Sequence, residues 1–515
     1  MIRMRSSMSI NRREFLRVLS AGGLLAVLGP IACAPTPEPV KPKTIPLASA
    51  TTPPTAVPAS PTPASSPTPT LSPSQDPSSP LFVISLQQNA KAAWEDRPTR
   101  TLAGVQGALE LAPDANLDQY GGLRTRTGNK TGFFHPEKIG ERWWLIDPEG
   151  NAFIHKGVTS IAIQDTPKSQ AAFKAQFGNE QKWADETTKL LKAYNFNGTG
   201  TWTSNALLRA TANPPVYTAL WSFMSTYGKQ RGGTYQQPGH TGYPNDCIFV
   251  FDPEFEAFCD QHAKQLAATK DDPYLLGHFS DNEMPLPATA LDNYLKLPDT
   301  DPGRKAALDW LAARNVKPND ISSNDRVEFL KLVVARYAKI VSSAIKKYDP
   351  NHLYLGPRLH STAMNSQAVL TALGPFVDIV SINLYSSWTP DAARMEDRTA
   401  WSGKPFIVTE FYVKAADAGL ANTTGAGWIV KTQKDRGWFY QNYVLALLQS
   451  KTCVGWHWFK YIDNDPTAPN PEPSNIDSNK GIVSNEYKPY AALLDAMKQL
   501  NERAYGLIEL FDKKG

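Results

Sequence analysis

From residue 142 onward the chain is punctuated by short, nearly continuous apolar runs, each followed within a few residues by polar or aromatic side chains, with helix-like segments between them. A strand covered on both faces reads this way, and strands that alternate with helices are joined by crossovers and run parallel. An entry hairpin is expected over 142–154, with its turn at Asp147-Pro148-Glu149-Gly150-Asn151 and its second arm running on through Gly157-Val158 as a first strand. Further strands are expected at 196–202, 216–223, 275–279, 353–356, 377–383, 406–408 and 454–459, with helices near 182–194, 254–270 and 488–500. The clearest helix starts near Ser323: Leu330, Val333, Val334, Tyr337, Val341, Ala344, Ile345 and Tyr348 fall on one face, and Asp349-Pro350 ends it. Eight strands in this order predict an α/β fold, a (β/α)8 TIM barrel with insertions in the βα loops. The barrel is preferred to an open doubly wound sheet because polar and aromatic residues collect just past the strand ends, where barrels carry their sites.

The first 80 residues cannot belong to that core. Residues 1–33 read as an export signal: Asn11-Arg12-Arg13-Glu14-Phe15-Leu16-Arg17 has a twin-arginine pattern, the apolar stretch 18–28 is too short to span a membrane, and Pro30-Ile31-Ala32-Cys33 has the form of a lipoprotein box. Lipid on Cys33 would tether the chain to a bacterial membrane surface; simple cleavage and release is the alternative. Residues 34–80 carry 15 of the 42 prolines and no aromatic residue, so a disordered spacer is expected. The catalytic domain is then 81–515. Five arginines against one glutamate before Cys33 account for the whole net charge of +4, so the exported part is formally neutral and no nucleic-acid partner is expected. Among four cysteines, Cys247 and Cys259 could pair outside the cell, Cys453 is expected to be buried, and no pair has metal-ligand spacing.

Two of the strand-like runs end in a carboxylate, at Asp281-Asn282-Glu283 and Thr409-Glu410-Phe411. Hydrolysis between sugars needs two carboxyl groups facing each other across the bond, one giving a proton to the leaving oxygen and the other attacking the anomeric carbon. Glu283 is expected as general acid/base with a raised pKa, and Glu410 as the nucleophile. For retention of configuration the two should lie ~5–5.5 Å apart. Asn282 is expected to bond the hydroxyl beside the reacting carbon, Tyr385 to position Glu410, and Trp458 to lie beneath the reacting sugar. Asn383, Trp388 and Trp202 follow other strands as further sugar contacts. Arg358 and His360 could hold hydroxyls, or Arg358 could tie its loop to Asp378. His155 reads as a satisfied interior histidine. Asp463, Asp465, Glu472 and Asp477 are a weak calcium candidate whose spacing fits no calcium loop, so solvated loop charge and no metal are expected. No Gly-x-Ser-x-Gly, His-Glu-x-x-His or phosphate-binding glycine loop occurs.

Together these strings resemble the clan of retaining (β/α)8 glycoside hydrolases, most nearly glycoside hydrolase family 50, the β-agarases. The likeness runs over 132–490, from Trp143-Trp144-Leu145-Ile146-Asp147-Pro148-Glu149-Gly150 through Asp281-Asn282-Glu283, the stretch 349–356, Asn383-Leu384-Tyr385, Lys404-Pro405 and Thr409-Glu410-Phe411 to Gly455-Trp456-His457-Trp458-Phe459. It implies cleavage of a β-linked galactan by Glu283 and Glu410 without a cofactor. The chain departs from the family pattern at Tyr412, where His is usual, and at Pro473-Ser474-Asn475-Ile476-Asp477, and it leaves the common N-terminal carbohydrate-binding domain without a counterpart. Rival readings are a β-mannanase, β-glucanase or β-galactosidase of the same clan, and a non-catalytic sugar-binding lipoprotein. A polysaccharide or oligosaccharide is the expected partner in the first set, with the cell surface or the medium as the place of action.

Overall fold

The computed structural model describes residues 82–385 and 387–514; the signal over 1–33, the spacer over 34–80 and Cys33 lie outside the described residues. A curled parallel sheet of nine strands organises the molecule. In chain order they are β1 (His155–Val158), β2 (Gly198–Thr199), β3 (Val216–Leu220), β4 (Leu275–Phe279), β5 (Leu353–Tyr354), β6 (Arg358–Leu359), β7 (Val380–Asn383), β8 (Phe406–Phe411) and β9 (Cys453–Trp458). Their spatial order is β5-β4-β3-β2-β1-β9-β8-β7-β6.

Strand β5 falls within the expected fifth strand at 353–356, and β6, at the other end of that order, is a further short strand just past it. Gly356 between them has φ +71°, and Pro357 has no N–H to give a ladder. Before the break the segment pairs with β4, Gly277 opposite Leu353; after it, Arg358 pairs with Ser381 of β7. Pairing towards β4 persists past the break, since the Arg358 amide donates to Asp281 O at 2.9 Å and the Glu283 amide donates to Arg358 O at 3.0 Å. The chain beyond β4, including Glu283, is thereby fixed against 356–359.

The expected hairpin forms between Arg142–Ile146 and Asn151–Phe153, and a four-stranded antiparallel sheet is completed by Leu123–Thr127 and His135–Ile139, which the sequence reading did not identify. Asp147 makes the turn: its Oδ1 accepts from the Glu149 and Asn151 amides at 2.9 and 3.0 Å, and Gly150 takes φ +94°. Leu145 and Phe153 of this sheet, with Phe134 just before it, join Val216, Leu276, Phe279, Leu353, Ile407 and Val454 of the parallel strands and the adjoining Leu355 and Ile379 in an inner apolar cluster. The rest of the core lies between the sheet's other face and its helices.

Helix α1 (Glu180–Ala193) and helix α2 (Ser323–Tyr348) fall where the apolar spacing places them. A capping box starts α2: Ser322 Oγ accepts from the Asp325 amide, and the Asp325 side chain accepts from the Ser322 amide. Its far end is held by Asp349, whose Oδ2 is 2.8 Å from both His278 of β4 and His352. The expected helix 254–270 divides into Phe255–Ala263 and a short 3-10 turn, and that at 488–500 forms as Ala491–Asn501. Strand β2 is only two residues long, against an expected seven. Cys247, Cys259 and Cys453 are buried and unpaired, so the suggested Cys247–Cys259 disulfide does not form here. Among the described residues no helix is long and apolar enough to cross a membrane.

Candidate active site

A cavity of about 550 Å³ opens at the carboxyl ends of the parallel strands. The chain leaves several strands through a residue with left-handed backbone: Ser160 after β1 (φ 55°), Trp202 after β2 (54°), Ser222 after β3 (56°), Glu283 after β4 (50°) and Ser361 after β6 (50°). The first four line the cavity. Such a backbone costs of order 1 kcal/mol at a residue with a side chain. It turns the chain sharply at the strand end, and in the first four cases the turning residue itself lines the opening. Asp281 locks two of these exits together, its carboxylate accepting from the Met224 and Ser225 amides at 3.0 and 3.2 Å and from the Tyr337 hydroxyl at 2.7 Å. Burial pushes its pKa up to about 7.

Glu283 and Glu410 both line this cavity, and both are buried. Their equipment differs. Glu283 Oε1 accepts from Asn383 Nδ2 at 2.7 Å, and its Oε2 is 3.7 Å from His240 Nδ1. Glu410 Oε1 is ion-paired with Arg358 Nη2 at 2.6 Å, and its Oε2 accepts from the Tyr385 hydroxyl. Burial raises the pKa of both carboxyls. At Glu410 the touching guanidinium opposes that rise most strongly, and at Glu283 the hydrogen bond from Asn383 does so, with Arg358 acting from farther away.

One hydrogen-bonded chain fixes the two carboxyls relative to each other. Arg358 Nη1 donates to Asn282 Oδ1 at 2.7 Å, Asn383 Nδ2 lies 3.3 Å from the same oxygen, and Thr409 Oγ1 donates to Asn383 Oδ1 at 2.7 Å. Arg358 is thus neither a free hydroxyl binder nor a tie to Asp378; that carboxylate takes the Tyr354 amide and Lys346 instead. Arg358 is fully buried between Glu410, Asn282 and the ring of Trp202, 4.7 Å away. Asn383 is equally enclosed, its amide committed to Glu283, so it positions that acid and has no donor left for sugar.

Two aromatic expectations are corrected. Trp458 is 0 % exposed and absent from the cavity wall; it packs on Phe411, Tyr440 and Arg436, with its indole N–H on Lys480 O. Neighbouring side chains on a strand face opposite ways, and here His457 points the other way from Trp458, 2.8 Å from His155, as part of an interior histidine pair. Trp388 is buried against Trp428 and Phe439 and donates to Thr99 Oγ1. Trp202, by contrast, is 45 % exposed, and it lines the cavity with Tyr385, Tyr412 and His360.

Several lining residues were not singled out from the sequence: His240, Lys460 and Lys480. Glu472 was noted only as an acidic-loop member. Gly239, at φ +87°, lies over Glu283 and bridges two loops: its carbonyl accepts from Asn282 Nδ2 at 3.2 Å, and its amide donates to Glu472 Oε1 at 2.6 Å. The acidic-loop residues do not converge. Asp463 binds Asn479 and Tyr490, Asp465 binds Thr467, and Asp477 binds Thr423 and Thr424. By proximity alone, two described groups could approach a metal: His278 with Asp349 and His352, already satisfied by one another, and His240 with Glu283 and His360.

No family model matches the chain. Two curated proteins of Vibrio sp. (strain JT0107) do. Beta-agarase B is 25% identical over 489 residues, covering 73% of this chain and 49% of that protein. Beta-agarase A is 27% identical over 464 residues, covering 71% and 45%. The chain thus spans about half the length of the curated relatives it matches. Among solved structures, the crystal structure of BpGH50 has a TM-score of 0.74 at 27% identity and covers 84% of this chain and 96% of its own. The resemblance to glycoside hydrolase family 50 and its β-agarases is borne out by these relatives.

Proposed function

We propose that this chain, as a relative of glycoside hydrolase family 50, is a retaining β-glycoside hydrolase acting on an agarose-like galactan. Glu283 serves as acid/base and Glu410 as nucleophile. The observation that carries this reading is the unequal pair of buried carboxyls on one cavity: one holds a cation and a phenol, the other only an amide. In the first step Glu283 gives its proton to the glycosidic oxygen while Glu410 attacks the anomeric carbon, forming a glycosyl ester and releasing the leaving sugar. In the second, Glu283 takes a proton from water, which attacks the same carbon and frees Glu410. Asn282, beside the acid, is suited to the adjacent sugar hydroxyl, and Trp202 and His360 to neighbouring parts of the chain.

The same reading takes the parallel sheet as a closed (β/α)8 barrel, in which β5 and β6 count as one strand pairing on both sides. It takes 81–515 as the catalytic domain behind an exported leader (1–33) and spacer (34–80), acting at the cell surface through Cys33 or in the medium. Mannan and glucan are the competing substrates. The test is hydrolysis of agarose, galactan, mannan and glucan by the exported chain, with the first-formed anomer read by proton NMR. The expected result is cleavage of the galactans with the β-anomer formed first. Sole activity on mannan or glucan would remove the substrate assignment, and an α-anomer would remove the retaining mechanism.

A further inference from the structure

Lys460 and Lys480 lie on the cavity wall in surroundings that suit neither as a free ammonium. Lys460, directly after β9, is 7% exposed, and among the described residues its ammonium has no hydrogen-bond or ion-pair partner; Asp463 and Glu472 act on it only at longer range. Lys480 donates to Ser474 O at 2.7 Å and to Asn475 Oδ1 at 2.8 Å, with the rings of Tyr412 and Phe459 at 4.9 and 5.3 Å. That leaves it one N–H and no carboxylate in contact. Glu472, a loop acid on the wall, accepts from the Gly239 and Ser474 amides and from Asn475, and acts on both lysines, as Glu410 does on Lys480, only at longer range. A buried ammonium without a counter-ion is costly, and two that repel each other are more so.

We propose that Lys460 and Lys480 form an anion subsite for a charged substituent, a sulfate ester or a carboxylate, on the sugar chain bound in this cavity. The preferred substrate is then an anionic rather than a neutral galactan, an inference that rests on the galactan reading above. A sugar hydroxyl can fill a hydrogen-bond position but cannot cancel charge. An anionic oxygen does both, and a lysine's compact charge accepts it from many directions. Burial brings the Lys460 pKa down to about 8, so an arriving anion holds the ammonium protonated, and binding weakens as pH rises through that value.

The test compares sulfated galactan oligosaccharides, neutral agaro-oligosaccharides and oligogalacturonides as probes. Hydrolysis is followed in the parent, Lys460→Met, Lys480→Met and Lys460→Arg, and calorimetric binding in the same set on a Glu283→Gln background. The expected result is a preference for one charged probe over the neutral one of roughly tenfold or more in kcat/KM and Kd, lost in the Met variants and kept in Lys460→Arg. Which charged probe is preferred distinguishes sulfate from carboxylate. Equal or better use of the neutral probe, unchanged in the Met variants, overturns the anion subsite and leaves the hydrolase reading standing. Charged-probe binding that needs the lysines, without hydrolysis of any probe, keeps the subsite and overturns the hydrolase reading. Neither binding nor hydrolysis overturns both.

Discussion

The two ends of the parallel sheet are built on opposite principles. At the amino end, the entry hairpin and its sheet bring Phe134, Leu145 and Phe153 onto Leu276, Leu353, Ile379 and Ile407, all apolar and closed to water. At the carboxyl end the same strands run out into left-handed turns and hold Glu283, Glu410, Arg358, Lys460 and Lys480, buried yet ionisable. Apolar burial at one end supplies the stability with which strained backbone and desolvated charge are kept in place at the other. The difference teaches where function can be altered without losing the fold.

The sharpest way to break that division is to remove charge at the carboxyl end alone. Glu410→Gln is expected to lower kcat by more than about 10⁴-fold, and Glu283→Gln by about 10²–10⁴-fold, while both variants still unfold in one cooperative transition. Activity within tenfold of the parent in either would refute the assignment of that residue. At the other end, Leu276→Ala should cost about 2–5 kcal/mol in denaturant unfolding and leave kcat of the folded fraction nearly unchanged. A large fall in kcat there would show that the two ends are not separable. The smallest effect is expected from Asn383→Ala, which takes a hydrogen bond from the ionised form of Glu283. Its pKa then rises further, so the basic limb of the pH–rate profile should move to higher pH, with a loss in rate of roughly tenfold. A basic limb moving the other way would put Asn383 outside the acid's control.

The sequence was most legible where one short-range signal decides. Leu275–Phe279 is the strand its apolar run announced, and the Ser322 cap and Asp349-Pro350 stop delimit α2 as expected. Glu283, Asn282 and Tyr385 stand just past strand ends and Glu410 one residue before the end of β8, and their place at the ends of apolar runs marked them. What stayed hidden depends on partners far along the chain. Arg358 was open between sugar hydroxyls and Asp378, twenty residues away, but its carboxylate is Glu410, fixed by the neighbouring order of β6, β7 and β8. Trp458 was given to the sugar because its place at a strand end was visible and its facing was not. His240 opens a strand of only three residues, His240–Gly242, and Lys460 and Lys480 sit in loops, so no periodicity marked them. The two departures from the family pattern, Tyr412 and 473–477, had no evident meaning in sequence; folded, both wrap Lys480.

The most direct measurement is covalent trapping: a 2-fluoro-2-deoxy galactoside carrying a good leaving group, which slows release of the glycosyl ester, followed by peptide mass spectrometry. The account requires one sugar per chain, attached to Glu410, and faster decay of the adduct in the parent than in Glu283→Ala. An adduct on any other residue, or none under turnover, would contradict it.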